Sequence, residues 1–353
     1  MRITRFFFIG FALALTAFSC PTNALAAESK TPLAVTVSIP PQKYFLEKVG
    51  GDDVAVTVMA AKGQDPHTYE PTAAQMEGVT RAELYFTIGV PFETQWVPKF
   101  HSLNPSMHVV NLLAAIPRID GKPDLALRDT VPGKGRQADR MSSSTASQAV
   151  GSHEHNSRHD HDGHDHESEA HTHAQEGHGQ HHHGLDTDDP HVWLSPSDMM
   201  QAIPLITAAL TDKRPDKKGA FESRANTLLQ ELTALDTELT ALLAPIENRT
   251  FMTFHQSWAH YARTFNLREV SVELEGREPG PKSMALLMDF AKANNIRVIV
   301  ADSMTGKSSV EAIARNINAT VIQAAPLAEN WPVALREFSQ KLAKALAGTH
   351  EPR

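Results

Sequence analysis

The sequence predicts an α/β protein of two lobes, each a mostly parallel sheet flanked by helices, joined by one long linking α-helix. Strand and helix patterns alternate from residue 33 to 112, and the same alternation returns from residue 250 to 348. Between the two halves lies one apolar stripe of helical period. Alternation of this kind favours parallel sheets that are covered by helices on both faces.

The first half of the chain predicts four short apolar strands, over residues 33–39, 53–60, 84–90 and 108–113. A helix is predicted over residues 41–50, with Pro41 in its first turn and Gly50 at its end. A second helix is predicted over residues 72–82. Together these elements define the first α/β lobe.

The second half repeats this theme. Its predicted strands cover residues 250–254, 269–274, 297–302 and 320–325. Its predicted helices lie near residues 257–266, 281–294, 308–317 and 333–347. Ligands of such lobes usually bind in the crevice outside the carboxyl ends of the strands.

The linking helix is predicted over residues 216–244, after a helix that starts with Ser195 as cap and Pro196 in the first turn. Its apolar stripe advances by alternate steps of four and three residues: Phe221, Ala225, Leu228, Leu232, Leu235, Leu239 and Leu242. The alternative is the helix of a coiled-coil dimer. Only about three heptads fit between Pro215 and Pro245, which favours a helix packed across both lobes of a monomer.

The predicted domain organisation leaves a long interruption inside the first lobe. This lobe comprises residues 33–117 and 189–214, the second lobe comprises residues 250–348, and residues 118–188 form a disordered surface loop. The loop is poor in aromatic residues and cannot bury enough apolar surface to offset its ordering entropy. It carries 12 of the 19 histidines: His153, His155, His159, His161, His164, His166, His171, His173, His178, His181, His182 and His183.

The N-terminus predicts export. Residues 1–26 have a basic start, an apolar run of 13 residues and a small-residue cleavage site, which is typical of a signal peptide. Periplasmic location follows, with lipidation at Cys20, the single cysteine, as the less favoured alternative. Cleavage near Ala26 leaves no thiolate, so a bound metal must have nitrogen and oxygen ligands. No other segment predicts a membrane span, and a net charge of −8 argues against a nucleic-acid partner.

Asp-Pro-His occurs twice, ending at His67 and at His191, once on each side of the predicted loop. Proline restricts the local backbone and biases the preceding residue towards extended geometry. A histidine on such a stiff stem suits a preformed metal site, and each aspartate, or a nearby backbone carbonyl, could accept the other ring N–H. A lone histidine at a strand end is more often an ordinary polar residue, but the repeated motif reverses that expectation.

His255 is a third candidate ligand, because it lies at the carboxyl end of a predicted strand of the second lobe. Three imidazoles without a thiolate suit Zn²⁺ best, with Cu²⁺ and Ni²⁺ possible, whereas Mn²⁺ or Fe²⁺ prefers more carboxylate. His260 is five residues further along a helix and is expected to point elsewhere. Three other histidines are expected at the surface: His101, His108 and His350.

Several blocks give the chain a resemblance to one family: "DPHTYEP" at 65–71, "DPHVWLSP" at 189–196, "FHQSWAHYARTFNL" at 254–267 and "ELEGREPGPKSM" at 273–284. With the histidine-rich loop and the long helix, they resemble the ZnuA-type zinc-binding periplasmic proteins of bacterial ATP-binding-cassette importers. The resemblance implies a rigid two-lobe protein that holds one metal between its lobes and presents it to a membrane permease. His67, His191 and His255 match the three histidine ligands of that family.

The chain departs from the family pattern at Ala325, where many relatives have an aspartate before Pro-Leu. The fourth ligand is then water, which is favoured, or a loop histidine, Asp302 or Glu70. In the family, histidine at the position of His255 accompanies zinc, while the manganese branch has an acidic residue there.

The histidine-rich loop is interpreted as a set of weak sites that capture or buffer zinc beside the tight site. Nickel or copper sequestration and simple solubilisation are the alternatives. Catalysis is a rival function, since three histidines with an open position describe a hydrolytic zinc centre. The sequence contains neither HExxH nor GxSxG, which argues against an enzyme. A metal-binding adhesin or a free-standing metal chaperone remains the other alternative.

Overall fold

The structure is a computed structural model, and it describes residues 31–119, 189–273, 280–302 and 305–348. The predicted signal peptide, the histidine-rich loop from residue 120 to 188 and His350 lie outside the described residues. In the described ranges, no helix combines the length and the apolar character needed to cross a bilayer.

The N-terminal lobe contains a sheet of four parallel strands in the order β2-β1-β3-β4. The strands are β1 (Leu33–Val37), β2 (Val54–Val58), β3 (Leu84–Thr87) and β4 (His108–Asn111). The helices of this lobe are α1 (Pro40–Gly50), α2 (Ala73–Val79), α3 (Phe92–Leu103) and α4 (Pro196–Lys213). All four predicted strands are confirmed.

Local sequence explains where these helices begin and end. Two prolines open α1, and Gly51 follows its last residue with a φ of 57°. Thr72 caps α2, because its side chain accepts a hydrogen bond from the backbone N–H of Gln75. Helix α3 is absent from the sequence prediction, since Pro98 lies inside it and proline ordinarily interrupts a helical pattern.

The C-terminal lobe repeats this arrangement, with four parallel strands in the order β6-β5-β7-β8. The strands are β5 (Thr250–Thr253), β6 (Arg268–Ser271), β7 (Val298–Ala301) and β8 (Thr320–Gln323). Besides the linking helix α5 (Lys218–Leu243), the remaining helices are α6 (Ala259–Thr264), α7 (Pro281–Ala293), α8 (Lys307–Ile317) and α9 (Trp331–Ala347). In both sheets the strand order reverses between the two central strands, and such a switch point is where a ligand crevice forms in these folds.

The linking helix packs against α1 and α4 on one side and against α9 of the C-terminal lobe. Its buried face follows the predicted stripe as far as Leu239. The stripe then continues on Leu243, whereas the predicted Leu242 is only partly buried. The step of four residues at this point keeps the buried face in line with the helical repeat of 3.6 residues.

Two tryptophans join the lobes beside the crevice. The indole N–H of Trp193 donates to the carbonyl of Pro326 over 2.8 Å, and that of Trp331 donates to the carbonyl of Trp193 over 2.5 Å. Trp331 also packs on Phe45 of α1, with ring centroids 5.0 Å apart. One continuous apolar core therefore includes the N-terminal lobe, the linking helix and the inner side of the second sheet.

Candidate metal centre

The structure brings His67, His191 and His255 together between the lobes. His67 lies in the loop between β2 and α2, His191 lies just before α4, and His255 lies two residues after β5. The ring centroids are separated by 4.6 Å (His67 and His255), 5.5 Å (His191 and His255) and 6.0 Å (His67 and His191). One nitrogen of each ring lies within 4.8 Å of the other two, which makes the cluster a candidate metal centre.

The three rings line a cavity of about 440 Å³ at the carboxyl ends of the strands. Apolar side chains from both lobes form much of its wall: Val90, Trp193, Phe254 and Leu327. An apolar wall lowers the local dielectric constant and strengthens the interaction of a cation with its few polar ligands.

The orientation of His191 is fixed by Asp189. The Oδ1 atom of Asp189 accepts hydrogen bonds from the ring Nδ1 of His191 at 2.6 Å and from its backbone N–H at 2.9 Å. Both residues are buried. Burial raises the pKa of Asp189, but the charge and hydrogen bonds of His191 outweigh it and hold the pKa below its ordinary value. With its proton on Nδ1, His191 offers Nε2 to a metal.

His255 has an equivalent partner in Glu273. The Nδ1 atom of His255 donates to Oε2 of Glu273 over 3.0 Å. Burial lowers the pKa of His255, but the hydrogen bond and charge of Glu273 outweigh this effect and raise it above its ordinary value. The Nε2 atom of His255 is buried and has no hydrogen-bond partner within the part of the chain that the structure describes. A buried nitrogen left without a partner costs about 1–3 kcal/mol, a cost that a bound cation removes.

Glu269 holds the backbone of the loop that carries His255. Its carboxylate accepts hydrogen bonds from the backbone N–H groups of Ser257 at 3.1 Å and Trp258 at 3.0 Å, and from the hydroxyl of Thr253 at 2.7 Å. Burial raises the pKa of Glu269 to about 7. This carboxylate fixes the direction in which the chain leaves β5.

His67 is held through its backbone. Asp65 Oδ1 accepts the backbone N–H of His67 at 2.9 Å, the same turn that Asp189 makes with His191. The predicted ring contact is therefore made by Asp189, while Asp65 binds the main chain. Desolvation and the neighbouring His255 and His191 lower the pKa of His67 to about 4. The ring of His67 is thus neutral near pH 7, with a lone pair available for a metal.

A buried carboxylate also supports the turn after β3, which lies beside Pro190, the residue that precedes His191. Glu93 accepts hydrogen bonds from the backbone N–H of Ile88 at 2.9 Å, from that of Gly89 at 2.8 Å, and from the hydroxyl of Ser38. Gly89 has a φ of 89°, and a Cβ atom there would lie 3.5 Å from the ring of Pro190. Burial raises the pKa of Glu93 to about 7.

The candidates for a fourth ligand are placed differently. Asp302 lines the cavity, but its Oδ1 accepts hydrogen bonds from the backbone N–H of Thr305 at 2.9 Å and from its hydroxyl at 2.8 Å. Asp302 is not part of the group whose ligand atoms lie within 4.8 Å of one another. Glu70 is exposed and does not line the cavity. The loop histidines lie outside the described residues.

Sequence reasoning missed Glu273 as the partner of His255. Strands β5 and β6 are parallel, with Thr253 paired to Ser271. Two residues beyond this pair in each chain segment, His255 and Glu273 lie side by side. The register of this strand pair, which the sequence analysis did not assign, is the information that places the two side chains together. His101 and His108 are exposed, as expected, and His260 is buried away from the cluster.

Comparison with known proteins gives a match to the family described as "zinc-uptake complex component A periplasmic" over residues 35–345. The zinc-binding lipoprotein AdcA of Streptococcus pneumoniae serotype 4 is 25% identical over 280 residues, which are 79% of this chain and 46% of AdcA. The chain thus spans about half the length of these streptococcal relatives. A putative metal-binding protein of Chlamydia trachomatis is 23% identical over 310 residues, 88% of this chain and 90% of that one.

Solved structures show the same fold. A crystal structure of ZnuA is 31% identical, has a TM-score of 0.68, and aligns over 89% of this chain and 99% of that one. A ZnuA mutant lacking residues 138–173, with zinc bound, is also 31% identical, with a TM-score of 0.69 and coverage of 91% and 100%. The two parallel sheets and the connecting helix agree with this two-lobe fold. The chain belongs to the zinc-uptake complex component A family, the zinc-binding solute-binding proteins of ATP-binding-cassette importers.

Proposed function

We propose that this chain captures one Zn²⁺ ion with His67, His191 and His255 and delivers it to a membrane permease of the ATP-binding-cassette type. The observation that carries the proposal is the convergence of three imidazole nitrogens, from three separate segments, to within 4.8 Å of one another. Zinc is the cargo of the protein and not a structural cofactor.

The ligand chemistry favours zinc. Three neutral imidazoles without a thiolate suit a borderline cation such as Zn²⁺, whereas Mn²⁺ prefers carboxylate oxygen. In a tetrahedral site with Zn–N bonds of about 2.0 Å, the nitrogens are about 3.3 Å apart. The rings therefore approach one another by up to about 1.5 Å when the ion binds. Water completes the coordination at the open side of the cavity.

Names of relatives support this assignment. AdcA is described as zinc-binding, and the ZnuA deletion mutant was solved with zinc bound. In that mutant, a stretch of 36 residues (138–173) is absent and zinc is still present. Zinc binding by this relative therefore does not depend on that stretch, which supports a tight site outside the loop in the present chain.

The histidine-rich loop serves to capture and buffer zinc. Each histidine with a neighbouring carboxylate would make a weak site, because ordering a polar segment of this composition around a metal costs conformational entropy. Twelve tethered histidines raise the concentration of zinc beside the cleft. Export by the signal peptide at residues 1–26 places this reservoir in the periplasm.

The geometry favours binding over catalysis. A hydrolytic zinc site needs a general base beside the metal-bound water. Glu273 is engaged with His255, and Asp302 is engaged with Thr305. We therefore expect no zinc-dependent esterase or hydratase activity above the background of the free metal.

The test is a zinc titration of the mature full-length protein by calorimetry with chelator competition, together with metal analysis. The wild type should show one tight site, and the double variant His67→Ala, His255→Ala should lose it. His101→Ala, an exposed residue of α3, is the matched control and should retain it. Deletion of residues 151–184 should remove weak sites only. Loss of the tight site on that deletion would contradict the proposal.

A further inference from the structure

His260 is a buried histidine outside the three-histidine cluster, and it lies on α6 of the C-terminal lobe. Only 1% of its surface is exposed. Its Nδ1 atom lies 2.6 Å from Oδ2 of Asp198, and its Nε2 atom lies 3.1 Å from the backbone carbonyl oxygen of Asp189. Both partners precede or open α4 of the N-terminal lobe, so the ring connects the two lobes.

Both ring nitrogens of His260 face hydrogen-bond acceptors. A carbonyl oxygen only accepts, so Nε2 must carry a proton. Asp198 is ionised, because the Nη2 atom of Arg263 lies 2.6 and 2.7 Å from its two oxygens. Nδ1 must therefore also donate. In a neutral ring one of the two nitrogens has a lone pair instead of a proton, and that lone pair would face the lone pair of an acceptor oxygen.

An imidazolium at His260 is paired with the carboxylate of Asp198, which Arg263 also contacts. Arg263 Nη2 lies 3.4 Å from Nδ1 of His260, and the carboxylate of Asp198 contacts both cations. Buried charges persist in a fold when they are paired and hydrogen-bonded in this way.

The contact to Asp189 gives this group a role at the metal centre. Asp189 is the residue whose carboxylate orients the ring of His191. The backbone N–H of Asp189 donates a hydrogen bond to the carbonyl of Ile119, the last described residue before the histidine-rich loop. A hydrogen bond from His260 to the carbonyl of Asp189 restricts the position from which the carboxylate acts.

We propose that His260 is a positioning residue for His191: as an imidazolium it joins Asp198 to the main chain of Asp189 across the lobe boundary and so fixes the carboxylate that orients this ligand. The proposal rests on the proposed zinc-binding role of His191. It adds a residue that never touches the ion but determines how well one ligand is held.

The test uses two substitutions of His260, each of which introduces a side-chain amide and preserves one of the two ring donors. In His260→Gln the side-chain amide reaches the place of Nε2 and retains the bond to Asp189, whereas in His260→Asn it reaches the place of Nδ1 and retains only the bond to Asp198. We expect zinc affinity within about threefold of wild type for Gln and about tenfold weaker for Asn. The visible spectrum of bound Co²⁺ should change in the Asn variant and be retained in the Gln variant. Both variants should unfold at a lower temperature than the wild type.

Equal zinc affinities of the two variants would overturn the proposal. A separate measurement on the wild type covers the case in which a variant does not fold: the ¹⁵N resonances of the His260 ring, assigned by their loss in any folded variant or by site-selective labelling, should show two protonated nitrogens at pH 7. A neutral tautomer would also overturn it. His191→Ala separates the two proposals, because zinc affinity unchanged by that substitution would refute the proposed function itself.

Discussion

Asp189 accepts the ring Nδ1–H of His191 at 2.6 Å and its backbone N–H at 2.9 Å through a single oxygen, Oδ1. One carboxylate oxygen thus sets both the main-chain turn and the ring tautomer. Glu273 performs the second of these tasks for His255, over 3.0 Å. Two of the three rings at the candidate metal centre therefore have their free nitrogen already selected, which would reduce the entropy lost when a metal binds.

Replacement of Asp189 by asparagine should weaken zinc binding about tenfold, since the amide retains an acceptor but removes the charge that strengthens the bond from His191. Chelator competition at constant pH measures the change. Asp52→Asn is the control, because Asp52 is an exposed aspartate of the same lobe. An affinity equal in both variants would show that Asp189 does not orient the ligand.

Glu273→Gln should shift the pH dependence of zinc binding towards lower pH. Glu273 raises the pKa of His255, so in the wild type a proton competes with zinc for His255 at a higher pH than it would at an ordinary histidine. The glutamine removes that charge, the pKa of His255 falls, and the affinity is retained to more acidic pH even though its value at pH 8 is lower. Affinity profiles between pH 5 and 8 measure the effect. A profile that moves to higher pH would contradict this assignment.

Asp302→Asn should leave zinc affinity within about threefold of wild type, because Asp302 bonds Thr305 and lies outside the group of converging ligand atoms. The Co²⁺ spectrum of the variant should retain the intensity of a four-coordinate site. A tenfold loss of affinity would identify Asp302 as the fourth ligand in place of water. Glu70→Gln, which changes an exposed acid, serves as control.

The eight strands and the long helix could be predicted because local sequence features mark them. These features are apolar runs, helical periodicity and proline or glycine at the ends of the elements. The repeated Asp-Pro-His motif likewise pointed to His67 and His191 without knowledge of the fold. Helix α3 escaped prediction because Pro98 lies inside it. A proline costs one helical hydrogen bond, which packing of Phe92 and Phe100 offsets in the folded protein.

The supporting carboxylates could not be read from the sequence in the same way. Glu93 accepts hydrogen bonds from residues that follow two different strands of its own lobe. Glu269, on β6, accepts a hydrogen bond from the loop that follows the neighbouring strand β5. Their pKa values, raised to about 7, come from burial that only the three-dimensional arrangement creates. His260 was expected to point away from the metal, which it does. Its bridge between Asp198 and Asp189 depends on how the lobes meet.

Gly89→Ala should destabilise the protein by about 1–3 kcal/mol, since a side chain at φ 89° is strained and the new Cβ would lie 2.4 Å from Leu113. The loss should be accompanied by weaker zinc binding, because Gly89 also adjoins Pro190. Denaturant unfolding gives the stability. Gly78→Ala is the matched control: it lies in α2 with open space around it and should be neutral or slightly stabilising.

Leu239→Ala should lower the free energy of unfolding by about 2–5 kcal/mol, because Leu239 is fully buried on the face of the linking helix that the two lobes share. Leu103→Ala, at a half-exposed leucine of α3, should change it by less than about 0.5 kcal/mol. Since one apolar core continues from the first lobe through this helix into the second, calorimetry should show a single transition that shifts as a whole in the Leu239 variant. Two separate transitions, of which only one moves, would mean that the lobes fold independently and that the linking helix belongs to one of them.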